Sequence, residues 1–574
     1  MIRLLFLFLL FITAQTTGAQ LLIRNVTVVD TENKKLLRAQ NVVVVDGRIA
    51  ALGNQVRYKL PPGTPVIDGT GKFLMPGLVD AHVHFFQSGG VYARPDAVDL
   101  RKYQPYNREI EWVHRNMEAF LRRYTSAGIT TVIDVGSTLN FLKQRDTFRN
   151  KPYAPAVYMT GPLLTTWEPP IYKGLGGDAP FFEMTTPEQA RQYVQQELPY
   201  KPDFIKIWYI VRGPNYDSSA RASLPLVQAV IDEAKKAGLR VAVHATQQIA
   251  ARLAVEAGAH FLVHNVEDRV VDVDFMQLLK EKGVVLNPTL VVGHNYGRTF
   301  TGNYPITAED WHHAHPTPLG SVIDFTHLPD TAITARYQRL APQVLARSKR
   351  NDSLLAVNVK KMLDAGVTIA TGTDAGNVGT QHASSYYDEL RAMQAAGFTT
   401  WQLLQSSTIN GAKALGKEGE FGSIQKGKVA DMVLLSADPT QSLDNWKKID
   451  LVINKGVALK PDSLLVSTPE MLAQQQLNAY NAHNLEAFLE PYAEDVEIYT
   501  FPNELRYKGK EQMRKAYEFV EKTPELYCRL LNRIVQGNTV IDHEEVYGKD
   551  GQVVYAVAVY KVYNGKIRQV YFIR

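Results

Sequence analysis

Five histidine and aspartate side chains have the types and spacing of metal ligands. His82 and His84 stand two residues apart at the end of a predicted strand, so alternation of strand side chains points both the same way. Three further predicted strands end at His244, His264 and Asp374. Imidazole and carboxylate groups suit divalent metals. Any one of them is better explained as a buried polar residue, but together they predict a metal site.

Lys206 lies between apolar neighbours in a predicted strand, Phe204-Ile205-Lys206-Ile207-Trp208. Burying a lysine there costs desolvation energy unless another group compensates. An ordinary lysine would extend to solvent or pair with Asp203. Alternatively, nearby cations would lower its pKa, and the neutral amine could capture carbon dioxide as a carbamate. An anionic carbamate could bridge two metals, whereas an ammonium would repel them.

The central region alternates short apolar strands with amphipathic helices, such as those predicted at 224–237 and 247–257. Alternation of this kind predicts a parallel sheet, and eight units favour an α/β fold of the (β/α)8 TIM-barrel type, with an open doubly wound sheet as the alternative. No G-x-G-x-x-G follows a strand, so a dinucleotide site has no support. The predicted strands are 77–84, 130–135, 156–160, 204–209, 240–244, 261–264, 284–287 and 368–374.

Two strand-rich segments flank this region and could pair into one small β-sheet domain. The last segment predicts a helix at 469–491, a strand at 496–500, a helix at 510–521 and four strands between 526 and 573, which is an α+β pattern. The predicted domains are therefore a β-sheet domain at 20–75 with 417–461, a barrel at 76–416 and an α+β domain at 467–574.

Arg3 and the apolar run at 4–12, followed by small residues, have the layout of a secretory signal peptide at 1–19. The protein is expected to be exported, either periplasmic or secreted, with an uncleaved anchor as the alternative. After cleavage no membrane association is predicted. Among 574 residues the net charge is only +5, and no dense Lys/Arg run implies a nucleic-acid partner. The single cysteine, Cys528, cannot form an internal disulfide.

Several motifs in the central region resemble signatures of the amidohydrolase superfamily. Residues 76–84 (PGLVDAHVH) look like its first-strand signature, and 372–376 (GTDAG) like its eighth. Segments 408–412 (TINGA) and 427–431 (GKVAD) are similar to later motifs of that family. Segments 287–290 (NPTL) and 205–207 (IKI) resemble its imidazolonepropionase-like and Xaa-Pro dipeptidase-like branch. The resemblance covers roughly residues 21–461.

This resemblance implies a site with two divalent metal ions, usually zinc. His82, His84 and Asp374 would hold one metal, His244 and His264 the other, and a carbamate on Lys206 would bridge them. A hydroxide between the metals would attack an amide or cyclic amide bond, and Asp374 would be the catalytic general acid/base. The expected substrate is a small molecule or a dipeptide, with Xaa-Pro dipeptides among the candidates.

Three further residues are predicted to bind substrate. Where the family has small residues after Lys206, this chain has bulky ones and a cation, so Tyr209 or Arg212 could contact a substrate carbonyl or carboxylate. A structural role for Arg212 is equally compatible with the sequence. The long His- and Pro-containing segment 293–350 reads as a lid without helix or strand, with His294 closest to the pocket.

The last segment resembles SnoaL-like cone-shaped α+β domains at 480–488 (YNAHNLEAF), 495–497 (DVE) and 509–511 (GKE). A binding or assembly role is expected for it, including homo-oligomer formation. For the barrel, three alternatives stay open: a deaminase of the same superfamily with one metal, a lactone or ester hydrolase, and a protein that binds metal without catalysis. Lys206 argues against the deaminase, because deaminases of the superfamily lack this lysine.

Overall fold

The computed structural model describes residues 20–573, and the predicted signal peptide lies outside them. The chain begins with five strands whose β-branched side chains pack inward, as at Val26 and Val42. They are β1 (Leu21–Asp30), β2 (Lys35–Val45), β3 (Arg48–Gly53), β4 (Val66–Asp68) and β5 (Phe73–Pro76).

The central region contains short parallel strands, followed in most cases by helices. The strands are β6 (Leu78–Val83), β7 (Ile129–Asp134), β8 (Ala156–Met159), β9 (Leu163–Thr165), β10 (Phe181–Glu183), β11 (Ile205–Trp208), β12 (Val241–His244), β13 (Phe261–Val263), β14 (Val285–Asn287) and β15 (Thr368–Ile369). The helices are α1 (Tyr106–Ser126), α2 (Leu139–Arg145), α3 (Pro187–Glu197), α4 (Tyr216–Lys236), α5 (Gln248–Ala257), α6 (Val273–Glu281), α7 (Val292–Phe300), α8 (Ala308–His313), α9 (Pro316–Asp324), α10 (Thr331–Asp364), α11 (Ser385–Ala395), α12 (Thr400–Ser406) and α13 (Ile409–Leu415).

The central strands form two parallel sheets rather than one continuous ladder. One has the order β6-β7-β8 and the other β10-β9-β11-β12-β13-β14-β15. Backbone hydrogen bonds outside the ladders connect their edges; for example, Asp374 N donates to His82 O (2.8 Å), and Asp203 N donates to Met159 O (2.9 Å). The mixed α/β prediction is confirmed, whereas a closed eight-stranded ladder is not seen in the described part of the chain.

The predicted eighth strand, 368–374, is a strand only at β15. Beyond it the backbone turns, and Asp374 adopts a positive φ of 62°. Gly372 passes so close to β6 that an added Cβ would lie 2.7 Å from His82 N. The chain therefore leaves the ladder at the point where the Asp374 carboxylate is directed toward the histidines. Strands β9 and β10 were not predicted.

The segment 293–350, expected to be a lid without helix or strand, is largely helical and comprises most of α7–α10. One of its prolines and several of its polar residues start helices instead of excluding them. Pro316 occupies the first turn of α9, where a missing N–H costs little. Thr307 and Asp310 form a capping box at α8, and Asp330 caps α10. The expectation of an irregular loop is wrong for this reason.

After the central region the chain returns to the first sheet through β16 (Met432–Leu435), β17 (Ile449–Asn454) and β18 (Val457–Leu459), followed by the short helix α14 (Pro461–Leu464). The sheet order is β18-β17-β16-β5-β1-β2-β3, with β4 beside β1. Leu434 stands opposite Leu74 in the antiparallel pair β16–β5. Strands from both sides of the central region thus share one sheet and one apolar core.

The C-terminal region packs helices against one β-sheet, as the α+β pattern predicts. Its helices are α15 (Pro469–Asn481), α16 (Leu485–Leu489), α17 (Lys510–Tyr517) and α18 (Phe519–Lys522). Its strands are β19 (Tyr492–Thr500), β20 (Glu504–Lys508), β21 (Tyr527–Gln536), β22 (Thr539–Tyr547), β23 (Val553–Tyr563) and β24 (Lys566–Ile573), in the order β20-β19-β24-β23-β22-β21. The helix predicted at 469–491 breaks near His483, where φ is +54° and Asn484 caps α16. Strand β20 was not predicted.

The long segment after β14 also connects the C-terminal region to the rest of the molecule. Helix α9 packs on α15 at Gly320, where an added Cβ would lie 2.5 Å from Asn478 Oδ1. The Asn478 amide donates to Pro316 O (2.7 Å), and the Tyr527 hydroxyl donates to Asp324 (2.9 Å).

Among the described helices none has the length and apolar character needed to cross a membrane.

His264 follows strand β13, and helix α10 holds the backbone just beyond it in place. Asn358, fully buried on α10, donates to Val266 O (2.9 Å) and Arg269 O (2.8 Å) and accepts from Val271 N (3.0 Å). One amide thus satisfies three backbone groups that would otherwise be buried without partners.

We expect Asn358→Leu to lower the free energy of unfolding by about 3 kcal/mol, because a similar volume is kept while buried N–H and C=O groups lose their partners. Urea denaturation followed by circular dichroism measures the change. Ser353→Ala, on the exposed face of α10, is the control and should change stability by less than about 0.5 kcal/mol. Equal stability of the two variants would contradict this account.

Candidate active site

The six predicted metal-site residues lie at or just beyond the carboxyl ends of the central strands, where active sites of parallel α/β folds are built. His82 belongs to β6, and His84 follows it. The others are Lys206 in β11, His244 at the end of β12, His264 after β13 and Asp374 beyond β15. Strands β11, β12 and β13 are neighbours, which brings Lys206, His244 and His264 side by side.

His82, His84 and Asp374 meet most closely. The Nε2 atoms of His82 and His84 are 3.2 Å apart, and Asp374 Oδ1 lies 3.2 Å and 3.1 Å from them. These three residues form a group whose ligand atoms could all reach one metal ion. The imidazole of His264 lies on the other side of the carboxylate, with Nε2 3.9 Å from Asp374 Oδ2. His244 follows, its ring centroid 4.3 Å from that of His264.

The hydrogen bonds behind the histidines determine which ring nitrogens carry a lone pair. His84 Nδ1 is 2.7 Å from Gly136 O, a carbonyl that can only accept, so Nδ1 carries the proton. His82 Nδ1 donates to Asn287 Oδ1 (3.1 Å), whose orientation is set because Asn287 Nδ2 donates to Ala370 O (2.9 Å). Both Nε2 atoms therefore direct lone pairs at the same point.

Two imidazole lone pairs and a carboxylate oxygen at about 3 Å repel one another unless a cation lies between them. The donor set also matches the nitrogen and oxygen ligands of zinc and similar divalent metals. In addition, His264 Nδ1 lies 2.7 Å from Thr289 Oγ1, which leaves its Nε2 facing Asp374. The residues present thus fit a metal ion, with tautomers fixed by their hydrogen-bond partners.

Burial keeps the bases of the site in the forms that bind metals. Desolvation lowers the pKa of His82 to about 4 and holds the pKa values of His244 and His264 well below 6.5. Desolvation likewise lowers the pKa of Lys206 to about 7, although Asp374 partly opposes it. Burial alone would raise the pKa of Asp374, but the neighbouring histidines hold it well below its usual range. The carboxylate is therefore ionised at neutral pH.

The backbone is strained at two of the predicted ligands. His264 has a φ of +76° and Asp374 a φ of +62°, in the left-handed region that residues other than glycine seldom adopt. Asp80 supports the second turn: it accepts from Thr373 N (3.0 Å) and from the Thr373 hydroxyl (2.8 Å). Strain of this kind persists only where the surroundings hold the backbone in place, as is common at functional sites.

Asn377 orients the Asp374 carboxylate. Its Oδ1 accepts from the Arg94 guanidinium (2.5 Å) and from the Tyr296 hydroxyl (2.7 Å), so its Nδ2 must face Asp374 Oδ1, 2.7 Å away. Arg94 itself forms a bidentate ion pair with Asp96. The sequence reasoning missed all of these residues. Only Asn377, three residues after Asp374 in a Gly-rich turn, carried a local signal.

A cavity of about 320 Å³ opens over the site. Aromatic and apolar side chains form much of its wall, including Phe86, Leu163, Phe181, Trp208 and Tyr296. Its polar lining contains the predicted ligand residues His84, Lys206, His244, His264 and Asp374, together with Gln87, Arg94, Thr246, Glu267 and Asn377. The cavity thus combines an aromatic wall with convergent polar groups, as small-molecule sites do.

The three predicted substrate-binding residues do not line this cavity. Tyr209 is fully buried, and its hydroxyl donates to Ala220 O. Arg212 is exposed, with its guanidinium 4.1 Å from the ring centroid of Trp167. His294 lies on a different cavity and faces Asp352 (3.5 Å). The strand alternation explains the difference for Tyr209: Trp208, its neighbour, takes the inward position.

We expect Asn377→Ala to weaken zinc binding by about 10–100-fold, because Asp374 loses the donor that sets its orientation. Competition of the metal-free protein with a chromophoric chelator measures this affinity without a substrate. Tyr296→Phe removes one of two donors to Asn377 and should weaken binding less. Unchanged affinity in Asn377→Ala would show that Asp374 is oriented by other contacts.

Comparison with known proteins separates two parts of the chain. Residues 73–459 match the amidohydrolase family, and residues 473–570 match the SnoaL-like domain. Over most of its length the chain is similar to the imidazolonepropionase of Fusobacterium nucleatum, at 23% identity over 429 residues, covering 69% of this chain and 84% of that protein. Similarity to the adenine deaminase of Paracoccus denitrificans is 37% over 73 residues, so this chain spans only 12% of that relative.

Solved structures show the same fold at low identity. A Xaa-Pro dipeptidase matches with a TM-score of 0.55 and 22% identity, covering 77% of this chain and all of that one (100%). Phenylurea hydrolase B matches with a TM-score of 0.58 and 20% identity, covering 78% and 98%. Since the family match extends over 73–459 and includes every residue of the metal site, the chain belongs to the amidohydrolase family, with a SnoaL-like domain at its C-terminus.

Proposed function

We propose that this protein is a metal-dependent hydrolase of an amide or cyclic amide bond. The observation that carries this proposal is the convergence of His82, His84 and Asp374 around one point, with His264 facing the other carboxylate oxygen and His244 and Lys206 lining the same cavity. Family membership supports it, and so do the imidazolonepropionase and Xaa-Pro dipeptidase relatives, which by their names act on carbon–nitrogen bonds.

His82, His84 and Asp374 would hold one divalent ion, and His244 and His264 a second. Zinc is proposed because the site is rich in imidazole. Bound there, the ions would lower the pKa of water to about 7 and polarise the scissile carbonyl. The ionised Asp374 can accept the proton of the attacking water and return it to the leaving nitrogen.

Lys206 is proposed to carry a carbamate that bridges the two ions. Its burial supports this, because a fully enclosed ammonium among histidines is unfavourable and the pKa is lowered to about 7. Much of the amine is then neutral at physiological pH, which is the form that reacts with carbon dioxide.

Three finer features also belong to this proposal. The edge hydrogen bonds between the two central sheets support a closed (β/α)8 barrel, and the arrangement of helices against the C-terminal sheet supports a cone-shaped SnoaL-like domain. Export to the periplasm or outside the cell is proposed from the segment 1–19. Cell fractionation of the native chain, compared with one lacking this segment, tests the last point.

The charges in the cavity bear on the substrate. Arg94 is paired with Asp96, Arg212 lies elsewhere, and Glu267 makes no ion pair among the described residues. A substrate carboxylate thus meets no unpaired guanidinium in the cavity. The aromatic wall and Glu267 favour an apolar amide that is neutral or cationic, over a dipeptide with a free carboxylate.

A deaminase is the second candidate, since the adenine deaminase relatives share a short stretch of sequence. Lys206 inside the cavity favours the two-metal hydrolase. Lactone or ester hydrolysis would use the same groups. Ammonia release from adenine, without cleavage of any amide, would favour the deaminase.

For Lys206→Ala we expect one tightly bound zinc per chain instead of two and a loss of turnover of at least about 100-fold, the upper end of the range for residues that support a metal site. Metal analysis after loading with and without bicarbonate makes the measurement, and propionate should partly restore the second metal. The exposed Lys235→Ala is the matched control. Two zinc ions in Lys206→Ala would refute the bridging role.

The charge pattern predicts that Xaa-Pro dipeptides with an amidated C-terminus are cleaved at least as fast as the same dipeptides with a free carboxylate. The measurement is kcat/KM for each matched pair with zinc-loaded protein. A preference of tenfold or more for the free acid would reject this account of the cavity and favour a dipeptidase with an ionic anchor.

A further inference from the structure

The C-terminal domain encloses a second cavity, separate from the metal site, of about 360 Å³. It lies between helices α15–α18 and the inner face of the sheet. Its wall is largely apolar and aromatic, with Leu477, Tyr480, Phe488, Tyr517 and Phe519 among its residues. The volume is at the lower end of the range for pockets that bind small organic molecules.

A polar network lies at one side of this cavity and ends on Glu544. The Tyr492 hydroxyl donates to Gln476 Oε1 (3.3 Å), and Gln476 Nε2 donates to the Tyr560 hydroxyl (3.1 Å). Tyr560 in turn donates to Glu544 Oε1 (3.1 Å). Gln476 Nε2 also donates to Ala473 O (3.1 Å), which fixes the direction of its amide. Each donor thus points toward the carboxyl group of Glu544.

Glu544 lines the cavity and is only 6% exposed. Among the described residues, only Tyr560 is hydrogen-bonded to its carboxyl group, and no Lys, Arg or His pairs with it. The nearby Arg533 is bound through two nitrogens to Asp542 (2.7 Å and 2.6 Å). Arg506, the cation in the lining, is exposed. The carboxyl group therefore faces the cavity without a counter-ion.

A buried carboxylate without a cation is costly, and a cationic ligand removes that cost. Desolvation, with a contribution from Asp542, raises the pKa of Glu544 to about 7, as expected for such a position. Aromatic rings around a desolvated cation add a favourable cation–π contribution. The charge of Glu544 and the aromatic wall of the cavity therefore favour the same kind of ligand, in which a positive group is attached to an apolar body.

We propose that this cavity binds a small organic amine with an aromatic or other apolar body, whose ammonium group pairs with Glu544. The proposal does not depend on the reaction at the metal site. It concerns a binding role for the SnoaL-like domain.

The test is isothermal titration of the full-length protein with 2-phenylethylamine, 2-phenylethanol and 3-phenylpropanoate, which have similar bodies and differ in charge. We expect the amine to bind at least tenfold more tightly than the alcohol, and the carboxylate to bind most weakly. Glu544→Gln keeps the shape of the side chain and should weaken amine binding at least tenfold. Equal affinity for amine and alcohol would overturn the proposal.

Glu545→Gln is the matched control, because this neighbouring residue points to the opposite face of β22 and does not line the cavity. It should leave amine affinity unchanged. Ala556→Leu, which places extra volume in the cavity wall, should weaken binding even if Glu544→Gln does not fold. Amine binding that survives both Glu544→Gln and Ala556→Leu would place the amine elsewhere and refute the proposal.

Discussion

The central constraint in this structure is the convergence of electron-rich atoms at His82, His84 and Asp374. Two lone pairs and a carboxylate oxygen lie about 3 Å apart in a buried site, an arrangement that is unfavourable without a cation. The protein must therefore hold these groups in place by other contacts. Hydrogen bonds to Asn287 and Gly136 fix the tautomers, and Asn377 fixes the carboxylate.

Much of the surrounding architecture serves this purpose. The chain gives up strand geometry after β15 so that Asp374 can turn toward β6, and Asp80 stabilises the turn. Helix α10 holds the backbone that carries His264 through Asn358. The helices α7–α10 also connect the site region to the C-terminal domain, since α9 packs against α15. One segment thus supports a predicted ligand and joins two parts of the molecule.

The ligand positions could be predicted because strand alternation and strand ends are local properties of the sequence. The predicted substrate-binding residues lie outside the cavity for reasons of side-chain direction and distant partners. Tyr209 was predicted as the last residue of a strand that ends at Trp208 in the structure, and its hydroxyl donates to Ala220 O. Arg212 rests on Trp167, a residue from another strand connection. Arg94 and Tyr296, far apart in sequence, meet at Asn377, and no local pattern indicated this.

By itself, the sequence determined the alternation of strands and helices, the α+β character of the C-terminal domain and the residues able to bind metal, because periodicity and side-chain chemistry are carried by neighbouring residues. Tertiary structure alone decided which of the predicted ligand atoms meet and which ring nitrogens carry protons. It also decided that Glu544, one of several charged residues on β22, faces an aromatic cavity with no counter-ion among residues 20–573. Those outcomes depend on burial and on partners hundreds of residues away, which local patterns do not encode.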